Sequence, residues 1–321
     1  MRKVLILQPR LDCSFKKGHV PTVEGPPNHP LRKHYLPFYD NLHKRHLNLD
    51  DSVYYEKKAL WQFDPKDYID SDYDIVYVPH KQKYQFDLGD KGRYYMQQVV
   101  PSIFSIDENG WGADLKNKIY PTKDDGAYDM LRKRIESNES KFAQPAYDPD
   151  FREKGYVLFV CQLPHDETIR YQSKVSVLEA LEITLSDAAL VGSKVIVKGH
   201  PANPGAMKEL KELTLKYSET ATWVENISIH QLLQNCSFVA LVNSGVGIEA
   251  MFHGKLVLRY GDADYNEGLT TFYTGEEENY FVYSESAKKY DTPSDHLRAF
   301  IQSWYDTYYD VENSESFSKI V

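Results

Sequence analysis

Five short, apolar, β-rich runs alternate with helical stretches between residues 155 and 261, and this alternation constrains the fold more than any other feature. The runs are GYVLFV (155–160), KVIVKG (194–199), TATWVE (220–225), SFVALV (237–242) and KLVLRYG (255–261). Between the first two, Val177, Leu178, Leu181, Leu185 and Leu190 recur at near-helical spacing. Further helices are expected near Gly205–Tyr217, after Ser228, and before Gly254. Strands alternating with helices at this spacing predict a parallel, doubly wound sheet. Ligands of such sheets bind in the crevice beyond the carboxyl ends of the strands. The loops beginning at Cys161, Gly199 and Asn243 are therefore expected to share one edge.

The amino-terminal half is less regular. KVLILQ (3–8), DIVYVP (74–79) and SIFSID (102–107) read as strands, and His29–Leu47 and Gly126–Glu139 as helices, which predicts a second α/β lobe. The polar stretch ESNESKFAQPAYDPDFREKG (136–155) holds two prolines and no sustained period, so the junction is placed there. The expected division is a lobe over 1–150, a Rossmann-like lobe over 151–285, and a helical segment over 286–321. The last carries Leu297, Phe300, Ile301 and Trp304 on one helical face. A length of 321 residues agrees with two lobes facing a cleft.

Charge and composition exclude several classes. With 38 Lys and Arg against 47 Asp and Glu, the net charge is −9, and no basic stripe interleaves with aromatics, so a nucleic-acid partner is not expected. No apolar window approaches a membrane span, and MRKVLILQPR has too short an apolar run for a secretory signal. The reading is a soluble, cytoplasmic protein. Cys13, Cys161 and Cys236 form neither a zinc spacing nor a disulfide framework and read as reduced, buried thiols. The 25 tyrosines suit sugar or base stacking and ordinary packing equally.

Four segments could carry chemistry. CQLPHDETIRYQS (161–173) is a polar loop after a strand, able to project Asp166 into the crevice; the ordinary alternative is a solvated loop acid. In KGHP, His200 could contact a phosphate or carry a proton, with Pro201 fixing the turn, or could be a hydrogen-bonded loop histidine. In NSGVGIEAMFHGKLVLRYGDADYNEGLT (243–270), Ser244, Gly245 and Gly247 open a helix whose free N–H groups suit an anion, and Glu249 could reach ribose hydroxyls. A capped helix with glycine for packing is the alternative there. FSIDENGWGADLK (104–116) offers Asp107 and Glu108 from the other lobe, as an acid or base for glycosyl transfer or as a capped turn. The DAD triplet (262–264) looks like a metal motif, but such triplets are common by chance, and no metal is expected.

Taken in order, these segments resemble the bacterial β-Kdo glycosyltransferases of capsule and O-antigen synthesis, related to the capsule polysaccharide biosynthesis protein family. IDENGWGADL is similar to the acidic, Gly-rich segment of that family, CQLPHDETI to its Gln-x-x-x-Asp loop, VKGHP to its His-Pro motif, and residues 243–270 to its long closing motif. The resemblance spans about residues 100–275. The chain departs from the pattern at Gly199, at Leu256 where proline is expected, and in ENGWGADL, which lacks the Arg-Ser pair of the capsule members.

The resemblance implies a GT-B-like α/β fold of two Rossmann-type lobes, CMP-Kdo as donor, and transfer to a saccharide acceptor with retention of the β configuration by double displacement. Asp166 would be the nucleophile, Glu108 the acid or base serving the acceptor, and His200 a phosphate contact or proton carrier. Gln162, Lys198, Pro201, Asn243, Ser244, Gly245 and Glu249 would hold the donor. No cofactor is implied beyond the donor itself. A glycolipid acceptor would bring the enzyme to the inner face of the membrane without an anchor. A GT-B enzyme using another CMP- or UDP-sugar, and a non-catalytic carbohydrate-binding relative, are the alternatives.

Overall fold

The computed structural model describes residues 1–9, 30–110, 123, 125–201, 204–266, 270–273, 281–283 and 293–321. They form two compact units, one of residues 1–115 with 305–321, the other of residues 116–304.

The first unit contains β1 (Lys3–Pro9), α1 (Pro30–Asn48), β2 (Ser52–Lys58), β3 (Ile75–Pro79), β4 (Gly92–Gln97), β5 (Ile103–Asp107) and the last strand of the chain, β13 (Tyr309–Asp310). The sheet order is β13-β5-β4-β3-β1-β2. β1 to β4 are parallel, whereas β5 runs against β4 and β13 against β5. Val4, Leu5, Ile6 and Leu7 are all buried, as a parallel strand covered on both faces requires. Much of the tyrosine content is spent here on packing. Tyr94 and Tyr95 are fully buried, and their hydroxyls donate to Phe86 O and Leu7 O, each at 2.6 Å. A buried phenol needs such a partner.

The second unit holds α2 (Ala127–Glu136), β6 (Val157–Val160), α3 (Glu167–Gln172), α4 (Val177–Leu190), β7 (Val195–Lys198), α5 (Lys208–Lys216), β8 (Ala221–Val224), α6 (Ile229–Asn235), β9 (Phe238–Leu241), α7 (Val246–Phe252), β10 (Val257–Arg259), β11 (Thr270–Tyr273) and β12 (Phe281–Tyr283). The sheet order is β12-β11-β10-β9-β6-β7-β8, parallel except for β12. α4 begins with a capping box: Ser176 Oγ accepts from Glu179 N at 3.2 Å, and Ser176 N donates to Glu179 Oε2 at 2.8 Å. Val177, Leu181 and Leu185 on this helix pack with Val157 and Phe159 of β6. All five sequence-predicted strands of this half are present.

The expected lobe boundaries are corrected. The polar segment after α2 is a strap on α6 rather than a junction. Ser228 Oγ donates to Asn138 Oδ1 at 2.6 Å, and Gln144 Oε1 accepts from Ile229 N at 2.9 Å. Gln231 exchanges two bonds with the backbone of Asp148, and Gly155 N donates to Asn235 O. Its polar residues thus satisfy the ends of α6, which otherwise lack partners. Nor is the carboxyl end a separate helical segment. After α8 (Pro293–Thr307), β13 pairs with β5 and completes the first sheet.

Candidate active site

β6 starts the second sheet at its centre. The chain builds outward through β7 and β8, then returns to place β9 on the other side of β6. The loops after β6 and β9 therefore flank the point where strand order reverses, where a crevice forms. Two buried amides tie these loops together. Gln162 Nε2 donates to Asn243 Oδ1, and Asn243 N donates to Gln162 Oε1, both at 2.9 Å. Asn243 Nδ2 also donates to Thr168 O at 3.0 Å. Gln162 and Asn243, expected to hold a donor, spend these polar atoms on fixing the two loops against each other.

The loop after β6 is not the open polar stretch that the sequence suggests, because it contains α3. Asp166 is the residue that caps it: Oδ1 accepts from Thr168 N and Thr168 Oγ1, each at 3.0 Å. Oδ2 has no hydrogen-bond partner among the described residues. One oxygen of this half-buried carboxylate is anchored while the other is available.

The loop after β7 brings His200 to the same edge. Gly199 packs flat against Trp223, since a Cβ there would lie 2.7 Å from the indole Cζ2, and this explains glycine beside the histidine. Lys198 is buried and its ammonium donates to Glu225 O. His200, Pro201, Trp223, Glu225 and Asn226 line a pocket of about 160 Å³. Burial lowers the His200 pKa to about 4; the Asp166 charge opposes this, and Lys141 and Lys198 add to it. The imidazole is neutral near pH 7.

Lys141 was missed by sequence reasoning. It lies in the strap, half-buried, and its ammonium is drawn down by burial while the Asp166 charge holds it up. The neighbouring Phe142 ring meets His200 edge-on, with centroids 5.2 Å apart and an interplanar angle of 79°. Nothing local in SKFAQP marks a site, and only the strap's bonds to α6 bring this segment, through Phe142, to His200.

Other expected residues fall elsewhere. Ser244 and Gly245 stay at the edge, but the helix they open, α7, is only seven residues long. Ser244 Oγ accepts from Val246 N at 3.3 Å, and Ser244 O accepts from the Tyr265 hydroxyl. Gly247 serves packing, because a Cβ would lie 2.5 Å from the Tyr265 ring. Glu249 is corrected outright. It is 1 % exposed, neither oxygen has a hydrogen-bond partner, and burial pushes its carboxyl up to about 8, with Ser140 opposing. His230 Nε2 stands 3.8 Å away and donates to Glu139 O at 2.9 Å, while Nδ1 lies 3.2 Å from His253 Nε2. A carboxyl sealed in this way cannot reach a ribose.

Glu108 belongs to the first unit, where it is exposed and paired with Arg93 at 3.2 Å. Because β5 is antiparallel, with Asp107 opposite Tyr94, Glu108 leaves the sheet beside the start of β4. Asp107 closes the turn by accepting from Asn109 N at 2.7 Å. Residues 111–115 of this motif, and Gly268 and Leu269 of the closing motif, lie outside the described residues. The DAD carboxylates are engaged locally: Asp262 accepts from Asn266 and Asp264 from the Trp304 indole. Cys161 and Cys236 are buried, and burial raises both thiols. Among the described residues, no helix is long and apolar enough to cross a membrane.

The family model described as capsule polysaccharide biosynthesis protein matches residues 125–308, more than half of the chain and all of the second sheet's loops discussed above. The chain belongs to this family. The match spans the Asp166 and His200 loops and does not extend to Glu108. No curated protein sequence matches the chain. Among solved structures, the β-Kdo 2,7 transferase of Thermosulfurimonas dismutans KpsC aligns over 99 % of both chains with a TM-score of 0.52 and 14 % identity. Its β-Kdo 2,4 transferase aligns over 82 % of this chain and 87 % of its own, with a TM-score of 0.49 and 18 % identity. A UDP-GlcNAc 2-epimerase of Methanocaldococcus jannaschii aligns over 100 % of this chain and 98 % of its own, with a TM-score of 0.37 and 11 % identity. The two largely parallel α/β sheets and the fold shared with the 2,7 transferase are of the GT-B type, with two Rossmann-like units.

Proposed function

We propose that this member of the capsule family is a glycosyltransferase that moves Kdo from CMP-Kdo to a saccharide acceptor with retention of the β configuration. The observation that carries the reading is Asp166, one oxygen pinned as a helix cap and the other open, set beside His200 at the strand-order reversal. In the first step Asp166 Oδ2 attacks the anomeric carbon and the bond to the CMP phosphate oxygen breaks, leaving a glycosyl ester and CMP. In the second, an acceptor hydroxyl attacks the same carbon, its proton passes to Glu108, and the Asp166 carboxylate departs. Two inversions give net retention.

A carboxylate can serve as nucleophile only if it is ionised and held in line, and the Thr168 bonds do the holding. The neutral imidazole of His200 donates an N–H toward the phosphate. The pocket lined by Pro201, Trp223 and Asn226 takes the nucleoside end, with Ser244 and Gly245 bordering the donor. The donor is bound without a metal in this reading, and a lipid-linked acceptor would bring the enzyme to the inner face of the membrane. The test is turnover with CMP-Kdo and a saccharide acceptor, with the product anomer read by NMR. Glu108→Gln is expected to slow transfer by about 10²- to 10³-fold. A protein that releases nucleotide only from UDP-sugars contradicts the donor assignment.

A further inference from the structure

We propose that Glu225 selects the base of the sugar-nucleotide donor, its carboxylate accepting from the exocyclic amine of cytosine and turning uracil away. This rests on the glycosyltransferase reading above, which puts the nucleoside in the pocket beyond β7 and β8 and leaves open how the base is chosen.

The pocket is walled by the ends of two neighbouring parallel strands. Gly199, His200 and Pro201 follow β7, while Trp223 lies in β8 and Glu225 and Asn226 follow it. In the reading above His200 meets the phosphate, which leaves the β8 side for the base. Glu225 is anchored there. Its Oε1 accepts from the Trp223 indole Nε1 at 2.7 Å and from Lys211 Nζ at 3.2 Å, and its backbone oxygen accepts from the Lys198 ammonium. The Trp223 ring is packed against Gly199, where a Cβ would lie 2.7 Å from the indole Cζ2 and 3.4 Å from Glu225 Cγ. The glycine that departs from the His-Pro pattern is thus the residue that lets this tryptophan and glutamate close on the end of β7.

Two polar groups of this pocket are left open. Glu225 Oε2 has no hydrogen-bond partner among the described residues, and neither has the Asn226 amide. The indole N–H of Trp223 and the Lys211 ammonium hold the Glu225 carboxyl below its ordinary pKa. It is therefore ionised near pH 7, and an ionised carboxylate can only accept hydrogen bonds, whereas the neighbouring amide offers both a donor and an acceptor. Cytosine answers this pattern: its N4 amine donates to Oε2, and its ring N3 or O2 accepts from the amide. Uracil presents O4 where cytosine has the amine, so two acceptors would face each other. A site built to hydrogen-bond one group rejects the analogue that lacks it.

Calorimetric titration of CMP and of UMP into the full-length wild type and Glu225→Gln tests the proposal. The wild type is expected to bind CMP about 10- to 100-fold more tightly than UMP. Glutamine can keep the Trp223 bond through its carbonyl oxygen and set its N–H2 in the place of Oε2, so CMP should weaken and UMP strengthen until the preference is lost or reversed. An equal loss for both nucleotides, as a ribose contact or a purely structural role would give, overturns the proposal. If the wild type prefers CMP and Glu225→Gln prefers it as strongly, the role of Glu225 fails while the CMP donor stands. A wild type that binds UMP as tightly as CMP, or binds neither, overturns both.

Discussion

Asp166 and Glu249 are both carboxylates on loops or helices that follow parallel strands of one sheet. Their environments make them opposites. Asp166 is half-buried, with Oδ1 tied to Thr168 and Oδ2 open at the sheet edge. Glu249 is 1 % exposed, with no hydrogen-bond partner, in a region whose histidines bond to Glu139 O and to each other. Desolvation without a compensating charge pushes the second carboxyl up to about 8, whereas the first is solvated on one side and bonded to Thr168 on the other. Two carboxyl groups within one fold are thereby separated into a half-buried group with one oxygen open at the sheet edge and a sealed one in the core.

The largest test of this contrast is Asp166→Asn. Asparagine caps a helix as well as aspartate does, so stability should change by less than about 1 kcal/mol while glycosyl transfer falls by at least about 10³-fold. Equal losses of stability and activity would reduce Asp166 to a cap. A smaller effect is expected from Gln162→Ala, which breaks the amide pair to Asn243 and leaves a buried side chain unsatisfied. It should cost about 1 to 3 kcal/mol in denaturant unfolding and lower turnover through misplaced loops rather than lost chemistry. Turnover unchanged in that variant would show that the two loops need no tie.

Glu249→Gln should have the smallest effect on activity and a specific effect on stability. The folded carboxyl titrates at about 8 against an ordinary value of 4.5. Between these values the folded state retains a proton that the unfolded state releases. The stability this proton supplies is present below about pH 4.5 and is lost as pH rises toward 8. The glutamine variant should therefore flatten the decline of the unfolding midpoint across that window and be the more stable protein at its alkaline end, with turnover unchanged. A decline of the same slope in both proteins would mean that Glu249 is not sealed.

The same contrast marks what could be read from the sequence. Strands buried on both faces appear as unbroken apolar runs, so β1, β3, β6, β7, β9 and β10 were legible. β2 and β4 were not: SVYYEKK is a partly exposed edge, and GRYYMQ reaches the core through phenols whose hydroxyls find backbone partners. α3 was hidden because six residues with a single buried aliphatic side chain, Ile169, show no period and its start depends on the Asp166 cap. The motif order drew attention to Asp166 and His200 but treated Glu249 alike, since a residue's depth in a seven-residue helix depends on what packs over it. The strap was read as a linker because its polar side chains satisfy another element's helix ends, a partnership that local composition cannot encode. Lys141 went unnoticed for the same reason.

The central claim is that Asp166 becomes covalently glycosylated. Intact mass spectrometry of Glu108→Gln mixed with CMP-Kdo tests it most directly, because the first displacement should proceed while the second is slowed. The account predicts a mass increase of one Kdo residue, mapped to the peptide bearing Asp166 and absent when Asp166→Asn is added. An adduct that persists in the double variant, or that maps to another residue, would contradict it.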